Sequence, residues 1–132
     1  MTDTDAVQRW LDAYSHAWES YDPDEIGALF SEDAEYRLHP WDEGDGVIRG
    51  RQAIVDAWLR QPDPRGTYVG RYRPLVVEGD SAVTTGTSRY YTDATRTTLD
   101  REYHNLFVLR FAEDGRCRSF TEWFMRVPGR AG

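Results

Sequence analysis

The chain has 132 residues, 39% hydrophobic and 14% aromatic, which suits one globular domain spanning residues 1–132 with a modest core and leaves too little for a second. A formal net charge of −7, with the arginines scattered, excludes nucleic acid and an anionic membrane as expected partners, because both require a basic patch. The single Cys117 has no intrachain partner, "MTDTDAVQRW" lacks the basic start and apolar core of a signal peptide, and no apolar run approaches the ~18 residues of a membrane span, so a cytoplasmic protein is expected.

Val7, Trp10, Leu11, Tyr14, Ala17, Trp18 and Tyr21 recur every three or four residues, the apolar stripe of an amphipathic helix with an acidic start. Asp22-Pro23-Asp24-Glu25 supplies a cap, a first-turn proline and a reciprocal glutamate, opening a second helix that carries Ile26, Leu29 and Phe30. "AEYRLHPW" reads as a short extended segment stopped by Pro40, and the acidic "DEGDG" as a loop. Gly50 opens a third helix, "RQAIVDAWLR", with Ile54, Ala57 and Trp58 on one face. Beyond Pro64, "TYVGRYRPLVVEG", "SAVTTGTSRYYT", "REYHNLFVLRF" and "RCRSFTEWFM" read as four long strands rich in β-branched and aromatic residues. Glu78-Gly79-Asp80 and Glu113-Asp114-Gly115 are hairpin turns, so these neighbours pair antiparallel. Helices followed by a meander give an α+β fold.

Alternation sets Tyr103, Asn105, Phe107, Leu109 and Phe111 on one face of the third long strand, opposite His104, Leu106, Val108 and Arg110. On the second, Val83, Thr85, Thr87, Arg89 and Tyr91 share a face, which leaves Arg89 buried if that face meets the helices. On the last, Glu122 shares a face with Phe120 and Phe124, while Trp123 and Met125 point the other way. A sheet apolar on both sides needs two covers: the helices on one, and on the other a second copy of the chain, so a homodimer through the outer sheet face is expected.

The ordered run "AYSHAWESYDPDEIGALFSEDAEYR", "GRQAIVDAW" and "YHNLFVLRFAEDGRCRSFTEWFM" resembles the SnoaL-like branch of the nuclear transport factor 2-like superfamily. The resemblance implies a cone, in which a strongly bent antiparallel sheet wraps a pocket closed by the three N-terminal helices. Chemistry varies widely across such proteins, from isomerases, dehydratases, hydrolases and cyclases to members without catalysis. Set against a ketosteroid isomerase, the helix-one tyrosine falls on Tyr14, the general-base aspartate on Leu38 or, matching the proline, on His39, and the second aspartate on Phe107. The acid pair is therefore absent. The resemblance also turns Phe120, Glu122, Phe124, Asn105, Phe107 and Leu109 toward the pocket, together with Arg89 and Thr87.

Two readings of Glu122 stand side by side: a desolvated carboxyl with a raised pKa that transfers protons, or an ion pair with an inward Arg89 that serves structure. His39 has the intrinsic pKa of a general base, but alternation places it opposite Tyr36 and Leu38, so an inward His39 requires a bulge. Tyr14 is a candidate oxyanion donor or a core tyrosine. Asn105, Arg89, Tyr36, Trp58, Phe107, Phe120 and Phe124 are the candidate substrate contacts. His104 is expected to face outward and His16 to be solvated. No metal-ligand spacing and no Gly-rich phosphate loop is present, so neither metal nor cofactor is expected. The expected function is cofactor-independent acid/base chemistry (isomerisation, dehydration, cyclisation or hydrolysis) on a small hydrophobic molecule bearing a carbonyl or hydroxyl. The alternative is a non-catalytic ligand-binding or dimeric interaction module with a packed cone.

Overall fold

A computed structural model describes residues 2–129. In chain order it contains α1 (Thr4–Ser20), α2 (Pro23–Ala28), β1 (Phe30–Arg37), a 3-10 turn at Gly44–Gly46, β2 (Ile48–Arg49), α3 (Arg51–Arg60), β3 (Tyr68–Glu78), β4 (Ser81–Tyr91), β5 (Leu99–Phe111) and β6 (Cys117–Arg126). The strands form one curved sheet in the order β2-β1-β6-β5-β4-β3, antiparallel throughout except for the parallel pair β1 and β6. The fold is α+β, a cone whose inner sheet face meets the helices.

Local chemistry sets the helix ends. Asp3 accepts from the Ala6 N–H at 2.8 Å to start α1, and Tyr21, in the left-handed region at φ 49°, ends it. Asp22 accepts from Asp24 N and Glu25 N, with Pro23 in the first turn of α2. The second helix is shorter than its apolar stripe suggests. The Leu29 carbonyl accepts both the Trp10 indole N–H at 2.9 Å and the Cys117 N–H at 2.8 Å, which draws Phe30 out of the helix and into β1. Ala34–Arg37 of the expected segment "AEYRLHPW" are thus the second half of an eight-residue strand with a register shift between Phe30 and Glu35, while Leu38–Trp41 lie beyond its end.

Strand register sorts the inner face. Asn105 lies opposite Phe124, Phe107 opposite Glu122 and Leu109 opposite Phe120, so all six turn toward the helices as alternation requires. On β4 the buried positions are Ala82, Thr84 and Ser88. Arg89 and Thr87 therefore point outward, contrary to the expectation of an inward arginine. Arg89 is 51% exposed, and its Nε donates to Glu102 Oε2 at 2.8 Å. The inner side of β4 is small because β3 brings large rings across it.

Those rings depend on two glycines. A Cβ at Gly70 would stand 1.9 Å from the Tyr68 hydroxyl oxygen, and one at Gly86 would stand 2.1 Å from the Arg71 carbonyl and 2.5 Å from Tyr72 Cδ1. Behind them lies an aromatic core built on Trp10, Tyr14, Phe30, Tyr36, Trp58, Phe107 and Phe120, in which Tyr36 stacks on Phe120 at 4.5 Å between centroids. Among the described residues no helix is long and apolar enough to cross a membrane. Because the Gly86 contact is with backbone, Gly86→Ala should destabilise the fold by about 2 kcal/mol or more, the range of overpacked cores. Urea unfolding is expected to show the fall in midpoint at an unchanged slope.

Candidate functional site

The outer part of the cone is open. A cavity of about 240 Å³ is lined from α1 by Tyr14 and Trp18, from β1 and its end by Tyr36 and Leu38, and from β3 and β4 by Tyr72, Ser88 and Tyr90. Arg101, Tyr103 and Asn105 of β5 and Glu122 and Phe124 of β6 complete it. A second, apolar groove of about 690 Å³ adjoins it, sharing Leu38, Asn105, Glu122 and Phe124 and extending over His39, Trp41, Leu106, Trp123 and Met125.

Glu122 is the acid of the cavity. With Arg89 outside and paired to Glu102, the Arg89–Glu122 ion pair, one of the two readings of Glu122, does not form. Glu122 Oε2 instead accepts from Asn105 Nδ2 at 2.7 Å. Burial pushes the carboxyl up from 4.5 to about 7, and the Asn105 donor, which favours the charged form, offsets only part of that rise. Arg101 is the arginine that reaches the cavity wall. It is committed to Asp63 at 3.2 Å and Asp100 at 2.9 Å, with its guanidinium 4.1 Å from the Tyr90 ring centroid.

Asn105 is held from behind. Its Oδ1 accepts from Ser88 Oγ at 2.8 Å, Ser88 Oγ lies 2.5 Å from the Tyr72 hydroxyl, and that hydroxyl lies 2.6 Å from the Tyr68 hydroxyl. Burial, opposed by the hydrogen bonds Tyr72 makes with Ser88 and Tyr68, leaves Tyr72 pushed up to about 12. Tyr68 is driven further by burial, by Tyr72 and by the hydrogen bond between them, as expected of the donor in that pair. Tyr14 rises well above the ordinary tyrosine range, through burial first and then the charges of Tyr36 and Glu122. Tyr36 rises through burial and then Glu122, with Trp58 and Tyr14 pulling it partly back. Both hydroxyls therefore stay protonated donors across the working pH range, close enough to Glu122 to feel its charge.

Five of the residues singled out in the sequence meet at the cavity: Glu122, Asn105, Tyr14, Tyr36 and Phe124. Phe107, Phe120 and Trp58 do not line it but form the packed layer behind. The Trp58 indole N–H has no well-formed hydrogen bond among the described residues, although the ring is near enough to Tyr36 to temper that hydroxyl. His39 follows plain alternation and needs no bulge: it lies on the outer groove, stacked on Trp41 at 4.8 Å, with Nδ1 3.3 Å from Asp42 Oδ2. His104 faces that groove as well, and His16 pairs with Glu25 at 2.8 Å on the surface. Sequence reading missed Ser88, Tyr72, Tyr90 and Arg101. Arg101 was within reach, because it continues the parity of Tyr103 and Asn105 by one step toward the N-terminus. Among the described residues no cluster of three or more His, Cys, Asp or Glu could hold a metal ion.

A structure of a protein from Kribbella flavida DSM 17836, provisionally named a ketosteroid isomerase, shares 24% identity at a TM-score of 0.68, covering 98% of this chain and 88% of its own. An LEH-like epoxide hydrolase of M. tuberculosis aligns at 18% identity and a TM-score of 0.65, over 94% of this chain and 86% of its own. An NTF-2 like protein of unknown function from Burkholderia xenovorans LB400 gives 18% and 0.64, over 95% and 89%. At these identities the likeness is one of fold. No curated protein matches the chain. The family model of the SnoaL-like domain matches residues 7–120, nearly the whole described chain, and the protein belongs to that family, within the NTF2-like superfamily.

Proposed function

We propose that the cavity is the active site of a cofactor-independent enzyme that moves a proton on a small, neutral, hydrophobic substrate bearing a carbonyl or hydroxyl. The observation that carries the reading is Glu122, a carboxyl held near pKa 7 by burial in an aromatic wall, with no cation paired to it among the described residues and neutral hydroxyl donors around it. A group poised there takes and returns a proton at neutral pH with little penalty either way. Tyr14 is the donor to an oxyanion that develops on the substrate, Tyr36 supports it, and Asn105 orients the carboxyl. The isomerase and hydrolase names among the similar structures accord with chemistry of this kind. The constellation of the ketosteroid isomerases is not the one used, since Phe107 is core and His39 lies outside the cavity. The volume, about 240 Å³, is below the ~300–1,000 Å³ usual for ligand sites, which suits a compact substrate whose longer substituents leave past Phe124 into the groove.

The competing reading, a binding or interaction module, is favoured by a separate observation. Trp123 and Met125, 43% and 78% exposed, line the outer groove with Leu106, and that face is apolar enough to be an interface. The two readings are compatible, and a homodimer through this face is part of the proposal. Cys117, buried and single, fits a reducing cytoplasm.

Proton abstraction is read most directly without knowing the natural substrate. In D2O the protein should exchange the α-hydrogens of small cyclic ketones, followed by mass spectrometry, and Glu122→Gln should lower that rate ~100-fold or more. Equal rates in the two proteins would remove Glu122 from the chemistry.

Stability should carry the same signature. Below pH 4.5 the carboxyl is protonated in both folded and unfolded chains. Between there and pH 7 only the unfolded chain ionises, so stability falls as pH rises, and above pH 7 the loss is constant. Glu122→Gln should abolish that slope, with a gain of order 1–3 kcal/mol at pH 8 and none at pH 4, measured by urea unfolding at each pH. For the dimer, sedimentation of Trp123→Asp and Met125→Asp variants should show monomers where the native chain sediments as a pair.

A further inference from the structure

We propose that Tyr68, Tyr72, Ser88 and Asn105 form a one-way hydrogen-bond relay that locks the Asn105 carboxamide and so confines the exchangeable proton of Glu122 to Oε1, the oxygen open to the cavity. The Asn105 amide group donates to Glu122 Oε2 at 2.7 Å and cannot accept, so a proton on Oε2 would face a donor. Oε1 has no hydrogen-bond partner among the described residues and is not sealed from the cavity. The amide keeps this orientation because Ser88 spends its only hydroxyl proton on Asn105 Oδ1. Ser88 must then accept from Tyr72, and Tyr72 from Tyr68, so every donor in the chain points toward the carboxyl.

The relay is a built feature. Each of its two rings lies in space cleared by an inner-face glycine: the Tyr68 hydroxyl would collide with a Cβ at Gly70, and the Tyr72 ring with one at Gly86. Gly86 stands directly between Tyr72 and Asn105 in the register of β3, β4 and β5, so the Tyr72 hydroxyl passes over it to reach Ser88. Ser88 and Tyr72 are positioning residues for Glu122. The inference deepens the acid/base reading of Glu122 and rests on it for its catalytic meaning: the proton lies on the atom that meets substrate.

The titratable and charged groups facing Glu122 are Tyr14 of α1, Tyr36 of β1, Tyr72 of β3, Tyr90 of β4, and Arg101 and Tyr103 of β5, with His39 and His104 on the adjoining groove. The test is a carbon-13 NMR titration of the Glu122 side-chain carboxyl in the full chain, its signal identified by its loss in Glu122→Gln. His39→Gln/His104→Gln serves as the background control, so that no charge change in the groove registers as a shift. Ser88→Ala frees the carboxamide to turn Oδ1 toward a protonated Oε2, which stabilises the neutral acid, and the midpoint should rise by about one pH unit, a tenfold change in the ionisation constant. Tyr72→Phe should raise it less, and Ser88→Thr should restore the native value. An unchanged or lowered midpoint in Ser88→Ala overturns the relay. If that variant does not fold, an unchanged midpoint in Tyr72→Phe does so. The titration needs no turnover, so the relay can fail while deuterium exchange still supports the enzyme, and the reverse.

Discussion

A largely desolvated carboxyl with an amide as its one hydrogen-bond partner among the described residues is the constraint around which this cone is arranged. Charge on Glu122 is disfavoured by burial and only partly restored by the Asn105 donor, so its pKa rises to about 7, a pH at which most glutamates are fully ionised. Every wall that desolvates it is also structural. The Tyr36 ring stacked on Phe120 next to it, the Tyr14 ring 5.9 Å from Phe120, and Phe107 directly across the ladder are part of the same core that closes the fold. The proton affinity of the site and the packing of the domain therefore cannot be tuned apart.

Much of this was legible in the sequence because period-two alternation is insensitive to context wherever a strand keeps its register. Phe120, Glu122 and Phe124 share a face in "SFTEWFM", and Asn105, Phe107 and Leu109 share one on the neighbouring strand, whatever the fold around them. Strand β4 shows where the argument ran out. Its two faces differ little in hydropathy, so alternation leaves the choice open, and the inward turn of Arg89 and Thr87 is what the resemblance implies. The face turned inward is instead the one with Gly86 and Ser88, because the rings of β3 occupy the space in front of it. Small residues there record the size of a neighbour's side chain, which a strand read alone does not reveal. The misplaced Arg89 followed from that one choice of parity.

The start of β1 was obscured for a different reason. "FSEDAEYR" has two exposed acids and a register shift, and its pairing with β6 is parallel and long-range, so no hairpin turn announces it. Only when Cys117 donates to the Leu29 carbonyl does the chain have cause to leave the helix at that point. Such a bond joins residues far apart in sequence and leaves no local pattern. The same holds for the ladder of hydroxyls behind Asn105, drawn from two strands.

The raised pKa also bears on what happens when a ligand arrives. In the open cavity Glu122 Oε1 keeps some access to water, and that residual solvation limits how far burial lifts the carboxyl. An apolar substrate seated among Tyr14, Tyr90 and Phe124 removes that water and leaves Oε1 only the substrate as a partner. Desolvation then acts again in the same direction, making the carboxylate a stronger base in the complex than in the free protein. An anionic substrate would gain nothing from this, since it would repel the carboxylate and Arg101 on the wall is already neutralised by Asp63 and Asp100. Under the proposed acid/base function, the electrostatics of the site favour a neutral molecule, and binding such a molecule would sharpen the group that acts on it.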